Sequence, residues 1–253
     1  MAKKPDWAIE RDRARKRGPE PIWLFGLHAV RDALLNPARD HQRLVVTKNA
    51  AGRLGDAIGS GPEPEIADPR KFPVPLDAGS VHQGAALLTM PLDWGGVETC
   101  FDADLVVLLD RVTDPHNVGA ILRSAEVFGA KAVIAPLRHA APETGALAKA
   151  ASGALERQPY LRVKNLASAM EELRAMGFRL IGMAGEAEAS LEDALTDGPT
   201  AIVLGAEGPG LRQKTRETCD VIARIPFASD FGSLNVSNAA AVSLYAAGRA
   251  KAR

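Results

Sequence analysis

Residues 105–136 read LVVLLDRVTDPHNVGAILRSAEVFGAKAVIAP, and the order of apolar runs within them sets the fold. LVVLL (105–109) is a continuous β-branched and leucine run, the pattern of a strand buried on both faces of a parallel sheet. In the segment that follows, Val118, Ile121, Leu122, Ala125 and Phe128 recur at helical spacing on one face, and Gly129 supplies a stop. AVIAP (132–136) is the next apolar run. Strand, helix and strand in that order make a crossover unit between parallel strands.

Toward the C-terminus the alternation continues. A small-residue helix is expected around Thr144 to Leu155, then a strand in YLRV, a helix in ASAMEELRAMG and a strand in RLIGMAG. The strand AIVLG, the helix LRQKTRETC, the strand VIARI and a final helix complete residues 104–253. The expected fold class is α/β, a parallel sheet covered on both faces. Toward the N-terminus, residues 21–92 read as a smaller α/β module with a helix in GLHAVRDALL and strands in RLVVT and GAALLTM, broken in its middle by Pro69, Pro73 and Pro75. DWGGVETCFDA (93–103) carries glycines without clear periodicity and reads as a linker. Residues 1–20, rich in Lys and Arg and poor in aliphatics, read as a flexible tail, either merely solvated or touching RNA.

Composition narrows the function. The chain has 253 residues, enough for one or two domains. Its 31 basic and 31 acidic residues cancel, which argues against coating nucleic acid by bulk charge, so any such contact must be local. Cys100 and Cys219 are far apart and lack metal-ligand spacing, so reduced thiols in a cytoplasmic protein are expected, with no metal site. No apolar run approaches the roughly 18–20 residues of a membrane span.

Ligands of open parallel sheets bind beyond the C-terminal ends of the strands. Three loops rich in polar residues and glycine stand there: DRVTDPHNVG, GAEGPGLR and PFASDFGSLNVS. In the first, Asn117 sits where an N-cap is expected for a helix beginning at Val118. Arg123 reads equally as a surface arginine or as a guanidinium suited to phosphate, and His116 as a hydrogen-bonded loop residue. In the second, the glycines match neither a P-loop nor the GxGxxG spacing; they allow close backbone approach, with Glu207 as the carboxylate among them. In the third, Ser233, Asn235 and Ser237 crowd the start of the final helix, where one cap suffices. The surplus points to a ligand surface or to polar ties between loops.

The segments DPHNVGAILRSAEVFGA (114–130), IVLGAEGPGLR (202–212) and IPFASDFGSLNVSNAAAVSLY (225–245) resemble, in order and spacing, the three motifs of the SpoU/TrmH family of RNA ribose 2′-O-methyltransferases in the SPOUT superfamily. FGLHAVRDALL (25–35) and VHQGAALL (81–88) resemble the small substrate-binding domain of its RlmB-type branch, which methylates a guanosine ribose in 23S rRNA. The resemblance implies a C-terminal trefoil knot, S-adenosylmethionine as cofactor, a homodimer formed through the catalytic domain, and RNA rather than DNA or membrane as partner. It assigns polar site positions to Asn117, Arg123, Glu207 and Asn235, with Ser233 close by, and cofactor contacts to Leu204, Gly205, Ile225, Leu234, Asn235 and Ser237. A guanidinium resists deprotonation, so Arg123 is expected to steer the 2′-oxygen and its phosphate rather than act as base. Departures from the family pattern fall at Phe227, Asp230 and Asn238. A tRNA substrate, and an RNA-binding assembly factor without turnover, are the competing readings. Arg138 with His139, Arg157, and Arg212 with Lys214 and Arg216 are candidate phosphate contacts.

Overall fold

The computed structural model describes residues 19–77, 79–228 and 234–251. Ser233 and Asp230, and nearly all of the stretch expected as a tail, lie outside the described residues.

The N-terminal unit is built on a four-stranded sheet in the order β1 (Ile22–Phe25), β4 (Ala85–Thr89), β2 (His41–Val46) and β3 (Pro64–Ile66). The helix α1 (Leu27–Leu35) buries Leu27, Ala29, Val30, Ala33 and Leu34 against it, one apolar face at three- and four-residue spacing, as a helix in GLHAVRDALL requires. A second helix, α2 (Lys48–Leu54), starts at Thr47, whose side chain accepts from the Ala50 N–H. β1, β3 and α2 were not expected from the sequence; none exceeds seven residues, too short for its periodicity to be decisive.

The C-terminal unit is a seven-stranded sheet whose recorded pairings are all parallel. Its order is β7 (Tyr160–Val163), β6 (Val133–Pro136), β5 (Leu105–Asp110), β10 (Thr200–Gly205), β8 (Arg179–Met183), β11 (Val221–Arg224) and β9 (Ala189–Ser190). Five helices fill the connections: α3 (Pro115–Val127), α4 (Gly145–Ala151), α5 (Leu166–Ala175), α6 (Leu191–Ala194) and α7 (Gln213–Thr218). The chain closes with α8 (Val236–Lys251). Among the described residues no helix is long and apolar enough to cross a membrane.

Residues of β5 alternate between two cores. Leu105, Val107 and Leu109 join a cluster with α3, α4 and α8, while Val106 and Leu108 join one with α5. Both faces are therefore covered, and the continuous apolar run has its physical reason. The first cluster does not stop at the C-terminal unit: Leu24, Leu27 and Val30 of the N-terminal unit belong to it together with Leu147, Ala148 and Ala151. The stretch expected as a linker buries Val97 and Cys100 against the second cluster.

Candidate active site

Parallel strands end on one edge of the sheet, and β10 lies beside β5 with Gly205 opposite Asp110. The loops that leave these two strands therefore start side by side. The third loop, after β11, leads into α8, which packs on both α3 and β10.

Asn117 is not the N-cap of its helix. Asp114 is, its Oδ1 accepting from the His116 N–H at 2.9 Å, with Pro115 in the first turn. The Asp-Pro pair supplies a cap and a preset φ, so the helix begins earlier than Val118 and Asn117 falls inside it. Its side chain turns to the other loops instead. Asn117 Nδ2 donates to Glu207 Oε1 at 3.2 Å. Asn235 Nδ2 donates to the same oxygen at 2.5 Å and to Asn117 Oδ1 at 3.0 Å. One carboxylate thus ties together all three loops.

Asn235 also performs the capping. Its Oδ1 accepts from the Ser237 N–H at 2.9 Å and from Ser237 Oγ at 2.6 Å, which leaves its amide for the bridge to Glu207. The surplus of polar groups in SLNVSN is therefore divided between a helix cap and a tie between loops.

The Glu207 loop folds back on its own strand. A Cβ at residue 205 would fall 2.2 Å from the Gly210 carbonyl carbon, so only glycine fits there. Asp110, fully buried at the end of β5, accepts from the Arg212 N–H at 2.9 Å and from its Nε at 2.7 Å, anchoring the far end of the loop. Sequence reasoning missed this residue; the only signal is a charge closing the run LVVLLD.

A cavity of about 400 Å³ opens beside this network. Leu204, Gly205, Ile225 and Leu234 line it, with Phe227 and Glu207. Met183 at the end of β8 and residues 184–186 after it form another wall, a contribution hidden in the sequence because RLIGMAG reads as strand throughout. Phe227 thus stands in the cavity wall, whereas Asn238 is exposed on α8. Among the described residues no group of three or more His, Cys, Asp or Glu could hold a metal ion.

Arg123 is exposed on α3 and takes no part in the hydrogen bonds of the three-residue network; among the described residues it has no hydrogen bond or ion pair. Other basic residues form ion pairs within the chain. Arg157 pairs with Asp32 and Glu126, Arg212 with Asp110, and Arg216 with Glu186. These candidate phosphate contacts are therefore each engaged with a carboxylate, while their side chains stay about half exposed. Arg111 and His139 remain exposed, both in the left-handed region at φ 63° and 61°. The loop bearing Arg138 and His139 is held from beneath: Arg162 donates to the Pro136, Leu137 and Ala141 carbonyls, and the Ala141 N–H donates to the Val112 carbonyl.

Comparison with known proteins matches residues 104–245 to the SpoU rRNA methylase family. The chain is 50% identical over 173 residues to the 23S rRNA (guanosine-2′-O-)-methyltransferase RlmB of a Burkholderia species, covering 66% of this chain and 70% of that protein. With the enzyme of the same name from Vibrio cholerae it shares 37% identity over 243 residues, 89% of this chain and 96% of that one. Among solved structures, the SpoU methyltransferase AviRb from Streptomyces viridochromogenes, in complex with the cofactor AdoMet, superposes with a TM-score of 0.77 at 25% identity, covering 95% of this chain and 92% of that one.

Proposed function

The chain belongs to the SpoU rRNA methylase family, and from that premise we propose that it transfers a methyl group from S-adenosylmethionine to the 2′-hydroxyl of a guanosine ribose in 23S rRNA. The observation that carries the proposal is the joining of Asn117, Glu207 and Asn235, one from each motif, beside a cavity at the C-terminal edge of the sheet.

The residues present fit the cofactor. Leu204, Ile225 and Leu234 offer an apolar wall, and the loop after Gly205 offers unencumbered backbone, a pairing suited to a ligand with a flat ring and a polar tail. S-adenosylmethionine, when bound there, supplies an electrophilic methyl group on a sulfonium. Glu207 and Asn235 hold the two loops that frame it, and Ser237 locks the Asn235 side chain in the capping orientation. Ser233, adjacent in sequence, completes the assigned polar set. Arg123, exposed on α3 and outside the cavity lining, is assigned to the RNA. The ribose hydroxyl gives its proton to solvent water as the oxygen takes the methyl group; the guanidinium charge stabilises the negative charge that develops on that oxygen, and it orients the neighbouring phosphate.

RNA is held in two places. On the catalytic face, Arg111 and Arg138 present charge from strand ends, with His139 exposed beside Arg138. On the N-terminal unit, a groove of about 580 Å³ is lined by His28, Arg31 and Arg53. We infer an RNA-binding domain over residues 21–92, a linker over 93–103 and a methyltransferase domain over 104–253, the last closed by a trefoil knot. The return of α8 from the β11 side onto β10 and α3 supports the knot. The exposed apolar residues Val127, Val242 and Tyr245 of α3 and α8 support a homodimer formed on that face. Two free thiols accord with action in the bacterial cytoplasm.

The test offers unmodified 23S rRNA and unmodified tRNA in parallel, with labelled S-adenosylmethionine, and maps the blocked 2′-hydroxyl. Label at one 23S guanosine supports the proposal. Label on tRNA alone overturns the substrate, and cofactor binding without transfer to either RNA or to ribosomal precursor particles favours an assembly factor.

A further inference from the structure

The two units of the chain meet across a charged contact closed to solvent. Arg39, between α1 and β2, has no exposed side-chain surface. Its Nε and Nη2 donate to Glu156 at 2.8 and 2.9 Å, and its Nη1 donates to Glu143 at 2.6 Å and to the Met90 carbonyl at 2.8 Å. Asn36 Nδ2 adds a bond of 2.9 Å to Glu156. Both glutamates belong to the C-terminal unit and flank α4. Burial opposes charge on Arg39, yet the hydrogen bonds to Glu156 and the charges of Glu143 and Glu156 hold its pKa above the ordinary value.

Backbone contacts continue from there to the active site. A Cβ on Gly145, the first residue of α4, would fall 2.3 Å from the Trp23 carbonyl oxygen of β1. A Cβ on Gly119 of α3 would fall 2.5 Å from Ala150 Cβ and 2.8 Å from the Leu147 carbonyl oxygen, both of α4. Thus β1 abuts α4 and α4 abuts α3 at two points where the glycine leaves no room for a side chain of its own. Gly119 lies on the same helix as Asn117 and Arg123. The apolar cluster shared by Leu24, Leu27, Leu147 and Ala151 seals this path.

A flexible tether would need none of this. Apolar packing of similar volume can hold two surfaces as firmly as a buried ion pair, but it tolerates sliding, whereas a guanidinium fork shared between two carboxylates is satisfied in one orientation. We propose that Arg39 is a positioning residue: with Glu143 and Glu156 it fixes the RNA-binding unit against α4, and through α4 against the catalytic helix, so that a fixed register between the two RNA contacts selects the nucleotide methylated. This rests on the function proposed above.

The test uses the full chain in three forms: wild type, Arg39→Met, and the triple variant Arg39→Met/Glu143→Gln/Glu156→Gln, which leaves no unpaired buried charge if the single variant fails to fold. X-ray scattering, which needs no RNA, reads the domain arrangement. The wild type is expected to scatter as the docked body with or without cofactor, and the triple variant to expand. In methyl transfer, the triple variant is expected to bind cofactor as the wild type does, while KM for 23S rRNA rises on the order of tenfold to a hundredfold and label spreads to neighbouring nucleotides. Arg39→Lys, which keeps the charge, should recover part of the affinity and the single-site pattern. A wild type that scatters as two detached units overturns the proposal. So does a triple variant that expands yet methylates the same nucleotide with an unchanged KM. A wild type that scatters as the docked body but methylates no RNA strikes the functional reading and leaves the fixed docking standing.

Discussion

Asn235 Nδ2 stands 2.5 Å from Glu207 Oε1, so the loop entering α8 and the loop leaving β10 share one hydrogen bond to a carboxylate. Replacing Asn235 by alanine removes the donor; replacing it by aspartate sets two carboxylates against each other at hydrogen-bonding distance. The expected order of kcat/KM is wild type, then Asn235→Ala lower by roughly tenfold or more, then Asn235→Asp lowest. Cofactor affinity, read by calorimetry, should follow the same order. An aspartate variant as active as wild type would remove the tie from the account.

Gly205→Ala forces a methyl group to within 2.2 Å of the Gly210 carbonyl carbon, where the obstacle is backbone and not a flexible side chain. Overpacking of this kind costs about 1–3 kcal/mol. Cofactor binding should weaken sharply and Tm should fall. Gly59→Ala, whose added Cβ meets nothing within 4 Å, is the matched control and should change neither.

How much of this was readable beforehand differs by residue. The loops after β5 and β10 follow from strand–helix alternation alone, because a strand buried on both faces leaves an unbroken apolar signature in LVVLL and AIVL. Asn117 was drawn into the site yet given the wrong local role, since Asp114 and Pro115 already supplied a cap and a first-turn proline. Partnerships across long sequence separations left no trace: Asp110 with Arg212, Arg157 with Asp32, and Arg39 with Glu143 and Glu156 connect residues more than 100 positions apart. A charge reads the same in a sequence whether it meets phosphate or a buried carboxylate. The short strands β3 and β9 escaped notice because three and two residues carry no period.

Glu143 gives the chain a particular response to pH. Burial raises its pKa above the ordinary carboxylate value, and the charge of Arg39 offsets this only in part. A carboxyl whose folded pKa is raised contributes stability below its unfolded pKa, and that contribution is lost as pH rises through the folded value. Chemical denaturation from pH 4 upward should therefore show a loss in the wild type that Glu143→Gln lacks. The variant, which keeps an acceptor for Arg39 without the buried charge, should be at least as stable as wild type at neutral pH. A variant that loses stability across that window as the wild type does would contradict the assignment.

Neither thiol should behave as a reactive cysteine. Burial, followed by the charge of Asp220, pushes the Cys219 pKa up to about 12, and burial raises that of Cys100. The thiolate is the reactive form, so native protein treated with iodoacetamide at pH 8 should gain little label at either position and keep its activity. Rapid alkylation of Cys219 in the folded protein, read by peptide mass spectrometry, would contradict this.

The most direct measurement of the central claim compares wild type and Arg123→Ala in methyl transfer to unmodified 23S rRNA, with the acceptor nucleotide mapped and cofactor affinity measured on the same samples. Arg123 is exposed and does not line the cavity, so the variant should fold and bind cofactor normally. The account predicts label on the 2′-oxygen of one guanosine with wild type and loss of most turnover, on the order of a hundredfold, in the variant. Label on a base, or a variant that turns over at the wild-type rate, would contradict it.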